Sequence, residues 1–140
     1  RPCALFSYFV HIIRDFQKDQ ANNLNYFADD IILKNELSRD DLRQIASGKP
    51  VSSGFRNMIR EYCDLAAEYR DKTALKIQEI SPLVEPRYQL SLRIIFDLYQ
   101  MVFERIDAEK GNFTTSELNP TPEETRERVY RTISGFRGSS

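Results

Sequence analysis

The stretch ALFSYFVHIIRDFQKDQANNLNY, Ala4 to Tyr26, decides how the rest of the chain is read. It is helix-like, and its centre holds Asp15 and Asp19, two carboxylates four residues apart. On a helix that spacing puts both side chains on one face, one turn apart, where like charges repel by about 0.3 kcal/mol. From spacing alone the pair reads first as a solvated helix face. The alternative is a cation site, because Mg²⁺ takes one or two carboxylates from a protein and fills its other positions with water and phosphate oxygens. The face continues backward to His11 and Tyr8, so it is polar at its C-terminal end and aromatic behind.

Working outward, FADDIILKNELS (27–38) reads as loop, with Asp29 and Asp30 a solvated pair or a source of acidity near a pocket mouth. Ser38 is a good N-cap for a short helix from Arg39 to Ser47, with Asp40 and Asp41 in its first turn and Gly48 as the stop. A long helix then runs from Ser52 or Ser53 to about Ile80. Its apolar positions, from Phe55 and Met58 through Tyr62, Ala66, Tyr69 and Thr73 to Ile77 and Ile80, alternate by three and four. Pro86 opens another helix, from about Glu85 to Glu109, expected to bury Tyr88, Leu92, Ile95, Phe96, Tyr99, Val102, Phe103 and Ile106. NFTTSELNPT (112–121) reads as loop, and Thr121-Pro122-Glu123-Glu124 starts a last helix to about Ser134, with 134–140 a frayed tail. No β-strand pattern occurs. The fold class is all-α, and residues 1–140 make a single domain.

Composition closes off several functions. A formal net charge of −1 with interspersed signs leaves no footprint for nucleic acid and no polybasic run for an anionic membrane. No apolar stretch has the roughly 18 residues of a spanning helix, and no signal peptide is visible. Cys3 and Cys63 lack metal-ligand spacing and suggest no disulfide framework, which makes a cytoplasmic setting the default. One histidine rules out the usual His-based zinc site and leaves little scope for a Ser-His-Asp triad. No Gly-rich loop could cradle a nucleotide phosphate.

The run HIIRDFQKDQANNLNYF (11–27) resembles the second aspartate-rich segment of the squalene/phytoene synthase family. That segment typically reads Gln-Leu-Thr-Asn-Ile-Leu-Arg-Asp-x-x-Glu-Asp, followed by Arg-Gly-Arg-x-Tyr-Leu-Pro. Ile12, Ile13, Arg14, Asp15 and Asp19 fall on it in register, and Tyr26-Phe27 fall on its Tyr-Leu. SLRIIFDLYQMVFERIDAEKGNF (91–113) resembles the family's last core helix, so the similarity spans roughly Ala4 to Phe113.

The resemblance implies an antiparallel helical bundle, part of an isoprenoid-synthase fold, of which this chain would be the C-terminal half. The opening Arg-Pro-Cys, without an initiator Met, fits that expectation. The missing N-terminal half would carry a second Asp-x-x-x-Asp helix facing this one. The implied activity joins two prenyl diphosphates, farnesyl or geranylgeranyl, head to head with diphosphate release and needs Mg²⁺; NADPH enters only if the product is of squalene type. By the same resemblance Asp15 and Asp19 are metal-binding, Asp15, Asp19 and Tyr26 are catalytic, with Tyr26 near the diphosphate, and Tyr8, His11, Arg14 and Asn22 are substrate-binding. A salt-bridging role for Arg14 is the alternative.

The departures fall on named positions. The family's Gln and Asn before the aspartates are Tyr8 and His11, its small upstream residues fall on Ala4 and Phe6, and its Arg-Gly-Arg is Asn22-Asn23-Leu24. Without those forked cations, diphosphate should bind more weakly. A second reading follows, a non-catalytic member that keeps the fold for protein binding or assembly. A hydrocarbon product would need peripheral contact with a bilayer, and apolar surface left by the missing half would favour self-association.

Overall fold

A computed structural model describes residues 2–138. The chain order is α1 (Pro2–Arg14), α2 (Phe16–Ala21), α3 (Asp29–Lys34), α4 (Arg39–Ala46), α5 (Ser53–Ile80), a 3₁₀ turn (Ser81–Leu83), α6 (Pro86–Glu104), α7 (Thr115–Leu118) and α8 (Pro122–Gly138). No strand occurs among the described residues, so the all-α expectation holds.

The caps explain most of these bounds. Ser38 accepts from the Asp41 amide while the Asp41 carboxylate accepts from the Ser38 amide, a reciprocal pair that starts α4. Ser52 accepts from the Phe55 amide at the start of α5, and Pro86 occupies the first turn of α6. The first stretch is not the single helix expected from Ala4 to Tyr26. Its helix is interrupted at Asp15 and ends at Ala21. Two segments expected as loop contain a turn or more of helix. Asp29 and Asp30 occupy the favourable first turn of α3, with Lys34 in its last, and Thr114 caps α7 by accepting from the Glu117 amide. The last helix continues past Ser134 to Gly138; residues 139 and 140 lie outside the described residues.

Ring contacts give the directions. Phe16 meets Phe55 at 4.9 Å between centroids, while Phe9 meets Tyr69 at 5.8 Å, so α1–α2 runs antiparallel to α5. The Arg70 guanidinium lies over Phe103, and α6 returns alongside α5. α8 then runs back along α6, pairing Arg105 with Glu124, Asp97 with Arg128 and Thr132, and Arg93 with Phe136. The result is an antiparallel bundle. Its main core joins Ile13, Phe16, Phe27, Leu42, Phe55, Ile59, Tyr62, Phe113 and Leu118 beneath α1–α4. A smaller cluster holds Phe6, Val10, Ala66 and Val102.

The stripe expected on α6 is covered only at its C-terminal end. Val102 is buried, but Tyr88 and Ile95 are about half exposed, as is Leu75 on the far half of α5. Helical periodicity marks a face as apolar; it carries no information about whether another layer lies over it.

Candidate active site

Asp15 marks the seam between α1 and α2, with φ −95° and ψ 10°. The backbone ladder still crosses it: the Asp15 amide donates to the His11 carbonyl at 3.0 Å and the Asp19 amide to the Asp15 carbonyl at 2.8 Å. The two aspartates therefore keep their one-turn register across the irregularity. Beyond Ala21 the chain reverses. The Asn23 amide donates to the Gln20 carbonyl and the Leu24 amide to the Asp19 carbonyl, with Asn23 at φ 58°. This is a Schellman closure with Asn at the left-handed position, where Gly or Asn is tolerated best. The glycine of the similar Arg-Gly-Arg segment falls on that same position.

The reversal brings Tyr26 back to the face it left. Phe27 buries its ring against Phe16 and Tyr62, and the Ala28 amide donates to the Tyr62 hydroxyl at 2.9 Å. The Tyr8 hydroxyl donates to the Tyr26 carbonyl at 3.4 Å. Tyr8, His11, Asp15, Lys18, Asp19 and Tyr26 thus line one groove of about 490 Å³.

Two of the expected residues stand apart from it. Asn22 caps α2, its carboxamide donating to the Lys18 carbonyl at 3.1 Å. Arg14 lines a separate cavity with Tyr99 and Val102, and only its guanidinium reaches the groove's edge, where it bonds Asp15. Lys18 was not anticipated as a groove residue, although its place between the two aspartates could have suggested it.

The two carboxylates are electrostatically unlike. Asp15 accepts from Arg14 Nε at 3.0 Å and Nη2 at 3.3 Å, and from His11 Nε2 at 2.5 Å. Arg14 carries donors alone, and its shorter approach to the ring is to His11 Nδ1 at 3.2 Å. Burial alone would raise the Asp15 carboxyl, but the Arg14 hydrogen bond and the charges of Arg14, His11 and Lys18 outweigh it, so Asp15 titrates below the usual range. Asp19 is raised, first by burial and then by the charge of Asp15. No hydrogen bond or ion pair engages the Asp19 carboxylate among the described residues.

An unpaired carboxylate repelled by a second one a turn away is the donor set a hard divalent cation relieves, so these residues fit Mg²⁺. No group of three or more His, Cys, Asp or Glu side chains suited to a metal occurs among the described residues. Asp15 and Asp19 would therefore supply two ligands, the rest coming from water, phosphate or further protein. None of the described helices is long and apolar enough to cross a membrane.

Comparison with known proteins bears on this geometry. No curated protein and no solved structure matches the chain. Residues 4–131 match the squalene/phytoene synthase family, whose typical activity is prenyl transfer. That match takes in the groove, the long α5–α6 hairpin and most of α8. The chain belongs to the squalene/phytoene synthase family.

Proposed function

We propose that this chain contributes one wall of a Mg²⁺-dependent prenyltransferase site that condenses two prenyl diphosphates head to head with diphosphate release. The observation that supports it is the shared groove: Asp15, Asp19, Tyr8 and Tyr26 converge there, and Asp19 is left without a partner. Asp15 and Asp19 would hold the cation, which supplies Lewis-acid neutralisation of the departing diphosphate. Lys18 adds a cation to the same groove, and the Tyr8 and Tyr26 rings form part of its wall. Two carboxylates make an incomplete cage for a diphosphate that gains a negative charge as its C–O bond breaks, so further acidic residues from outside these 140 would complete it, and the isolated chain is inactive. NADPH is a co-substrate only for a squalene-type product.

Release of pyrophosphate from farnesyl or geranylgeranyl diphosphate by the whole protein tests this. The expected result is release that needs Mg²⁺, is abolished by EDTA and falls at least a hundredfold in Asp19→Asn. Folded protein that releases nothing from either substrate overturns it.

One observation favours a second reading, a non-catalytic member that binds another protein. The Asp15 carboxylate is already engaged by Arg14 and His11, as a purely structural aspartate would be. Tight Mg²⁺-independent capture of a partner by a protein with no pyrophosphate release would support it.

A further inference from the structure

Gln17 lies between the two aspartates in the chain and across the helix from both. Two residues from each, it is turned about 200° away, so its side chain leaves the far side of α2. Both ends of that carboxamide are used. Its Nε2 donates to the Ala46 carbonyl at 3.2 Å, and its Oε1 accepts from the Thr115 amide at 2.8 Å. Ala46 is the last residue of α4 and Thr115 the first of α7. Helix ends leave carbonyls and amides without intrahelical partners, so one side chain satisfies an acceptor at one helix end and a donor at another.

A carboxamide that bridges helix ends is ordinarily a structural tie and nothing more. Three facts connect this one with the groove. α2 has six residues and continues α1 through Asp15, where φ −95° and ψ 10° depart from helical geometry, so α1 alone does not fix its direction. Among the described residues, the two Gln17 bonds are the only hydrogen bonds from an α2 side chain to another helix. Both partners stand on elements the main core holds, α4 through Leu42 and Ile45 and α7 through Phe113 and Leu118. Burial of the Phe16 ring sets how deep α2 sits. Hydrogen bonds are directional, so a pair of them on Gln17 sets the roll of α2 about its own axis.

We propose that Gln17 is a positioning residue for the metal site. By tying α2 to α4 and α7 it fixes the roll of that helix, and with it where the Asp19 carboxylate stands relative to Asp15 across the break. Groups behind the ligands of a metal site orient them and so set the affinity. The inference rests on the proposed reading of the groove as a Mg²⁺ site, and its test separates the two.

The experiment is calorimetric titration of the whole protein with Mg²⁺, beside hydrogen exchange at the Thr115 amide. Gln17→Met keeps the length of the side chain and removes both bonds. Its Mg²⁺ affinity should fall about tenfold, and exchange at Thr115 should speed up. Thr115→Pro removes the same amide from the partner's side and leaves α2 unchanged, and proline suits the first position of a helix. It should weaken Mg²⁺ binding too, by less than Gln17→Met, because the Ala46 bond remains. The double variant should bind no more weakly than Gln17→Met alone, since both changes act through one bond. Arg128→Ala, which loosens the α6–α8 contact, should bind Mg²⁺ as wild type does; equal weakening by it traces the loss to stability and overturns the proposal. Wild-type affinity in Gln17→Met, unchanged exchange at Thr115, or losses that add in the double variant overturn it as well. If Gln17→Met does not fold, Thr115→Pro decides: weaker Mg²⁺ binding supports the proposal and wild-type affinity overturns it. In each of these failures, loss of Mg²⁺ binding in Asp19→Asn leaves the groove reading standing. Asp19→Asn that binds Mg²⁺ like wild type, or no Mg²⁺ binding at all, overturns that reading and the proposal with it.

Discussion

Asp15 and Asp19 line one groove a single helical turn apart, yet His11 and Arg14 engage the first carboxylate, and among the described residues no hydrogen bond or ion pair engages the second. The asymmetry sets which of the two can respond to a cation. Asp15 is held ionised because its bond from Arg14 and the nearby charges outweigh burial, whereas at Asp19 burial and the charge of Asp15 outweigh the attraction of His11, Lys18 and Arg14.

Asp19 therefore works against folding at neutral pH. Its carboxyl is raised above the ordinary 3.8, so the stability it favours is present below that pH and is lost as pH rises through the folded value. Asp19→Asn should raise the melting temperature in metal-free buffer at pH 7 by about 1 °C. Mg²⁺ should raise the melting temperature of the wild type and leave the variant unmoved. Scanning calorimetry with and without Mg²⁺ checks both; a variant that melts lower than wild type in EDTA would contradict the assignment.

The α6–α8 contact turns on Arg128, which reaches Asp97 at 2.7 Å and Glu104 at 3.0 Å. Burial raises Asp97, but its bonds from Arg128 and Thr132 win and hold it below 3.8; the Arg128 hydrogen bond holds Glu104 below 4.5. Both shifts are downward, so their stabilisation is full above those ordinary values and lost as pH falls through the lowered ones. Amide protection in α8 should hold from pH 7 to 5 and drop below about pH 4. Arg128→Ala should cost about 2 kcal/mol at pH 7, since it leaves two carboxylates facing each other, and less at pH 3. Denaturant melts at the two pH values decide it.

Tyr62 places Tyr26 at a distance, by accepting the Ala28 amide beneath the loop. Tyr62→Phe keeps the ring in the core and removes the acceptor, at a cost of about 1 kcal/mol. Hydrogen exchange at Ala28 should speed up at least fivefold while exchange in α5 stays slow. An unchanged Ala28 rate would mean that Phe27 packing alone holds the loop.

Gly54 and Gly135 make an opposed pair on two helices. A Cβ at Gly54 would lie 2.5 Å from the Asn35 carbonyl oxygen, so α5 could not approach the α3–α4 connection as it does. Gly54→Ala should destabilise by about 2 kcal/mol. A Cβ at Gly135 meets nothing within 4 Å, and Gly135→Ala should stabilise by about 0.5 kcal/mol through helix propensity. Urea midpoints of the two variants moving in opposite directions would bear this out.

How much was legible can be traced to particular residues. The run from Ser53 to Ile80 carries an alternation of three and four over seven turns, and the helix found has those bounds. The reciprocal Ser38–Asp41 cap was readable because capping chemistry is local. The α3 turn was missed although its acidic start and Lys34 end were present, because six residues give too little periodicity to outweigh a loop reading. The register of Asp15 and Asp19 followed from spacing, and with it the placement of both on one face.

What the linear order could not carry was everything that depends on a second element arriving. The return of Tyr26 to the groove follows from the Schellman closure at Asn23 and the anchoring of Phe27 by Phe16 and Tyr62. The bare face of Tyr88 and Ile95 was likewise settled by packing. Periodicity and caps are properties of neighbouring residues, and the sequence alone determined them: an all-α chain with two aspartates on one helical face. The pairing of Asp15 with His11 and Arg14 is local too, but a groove needs contacts between distant segments, so tertiary structure alone decided which residues share it.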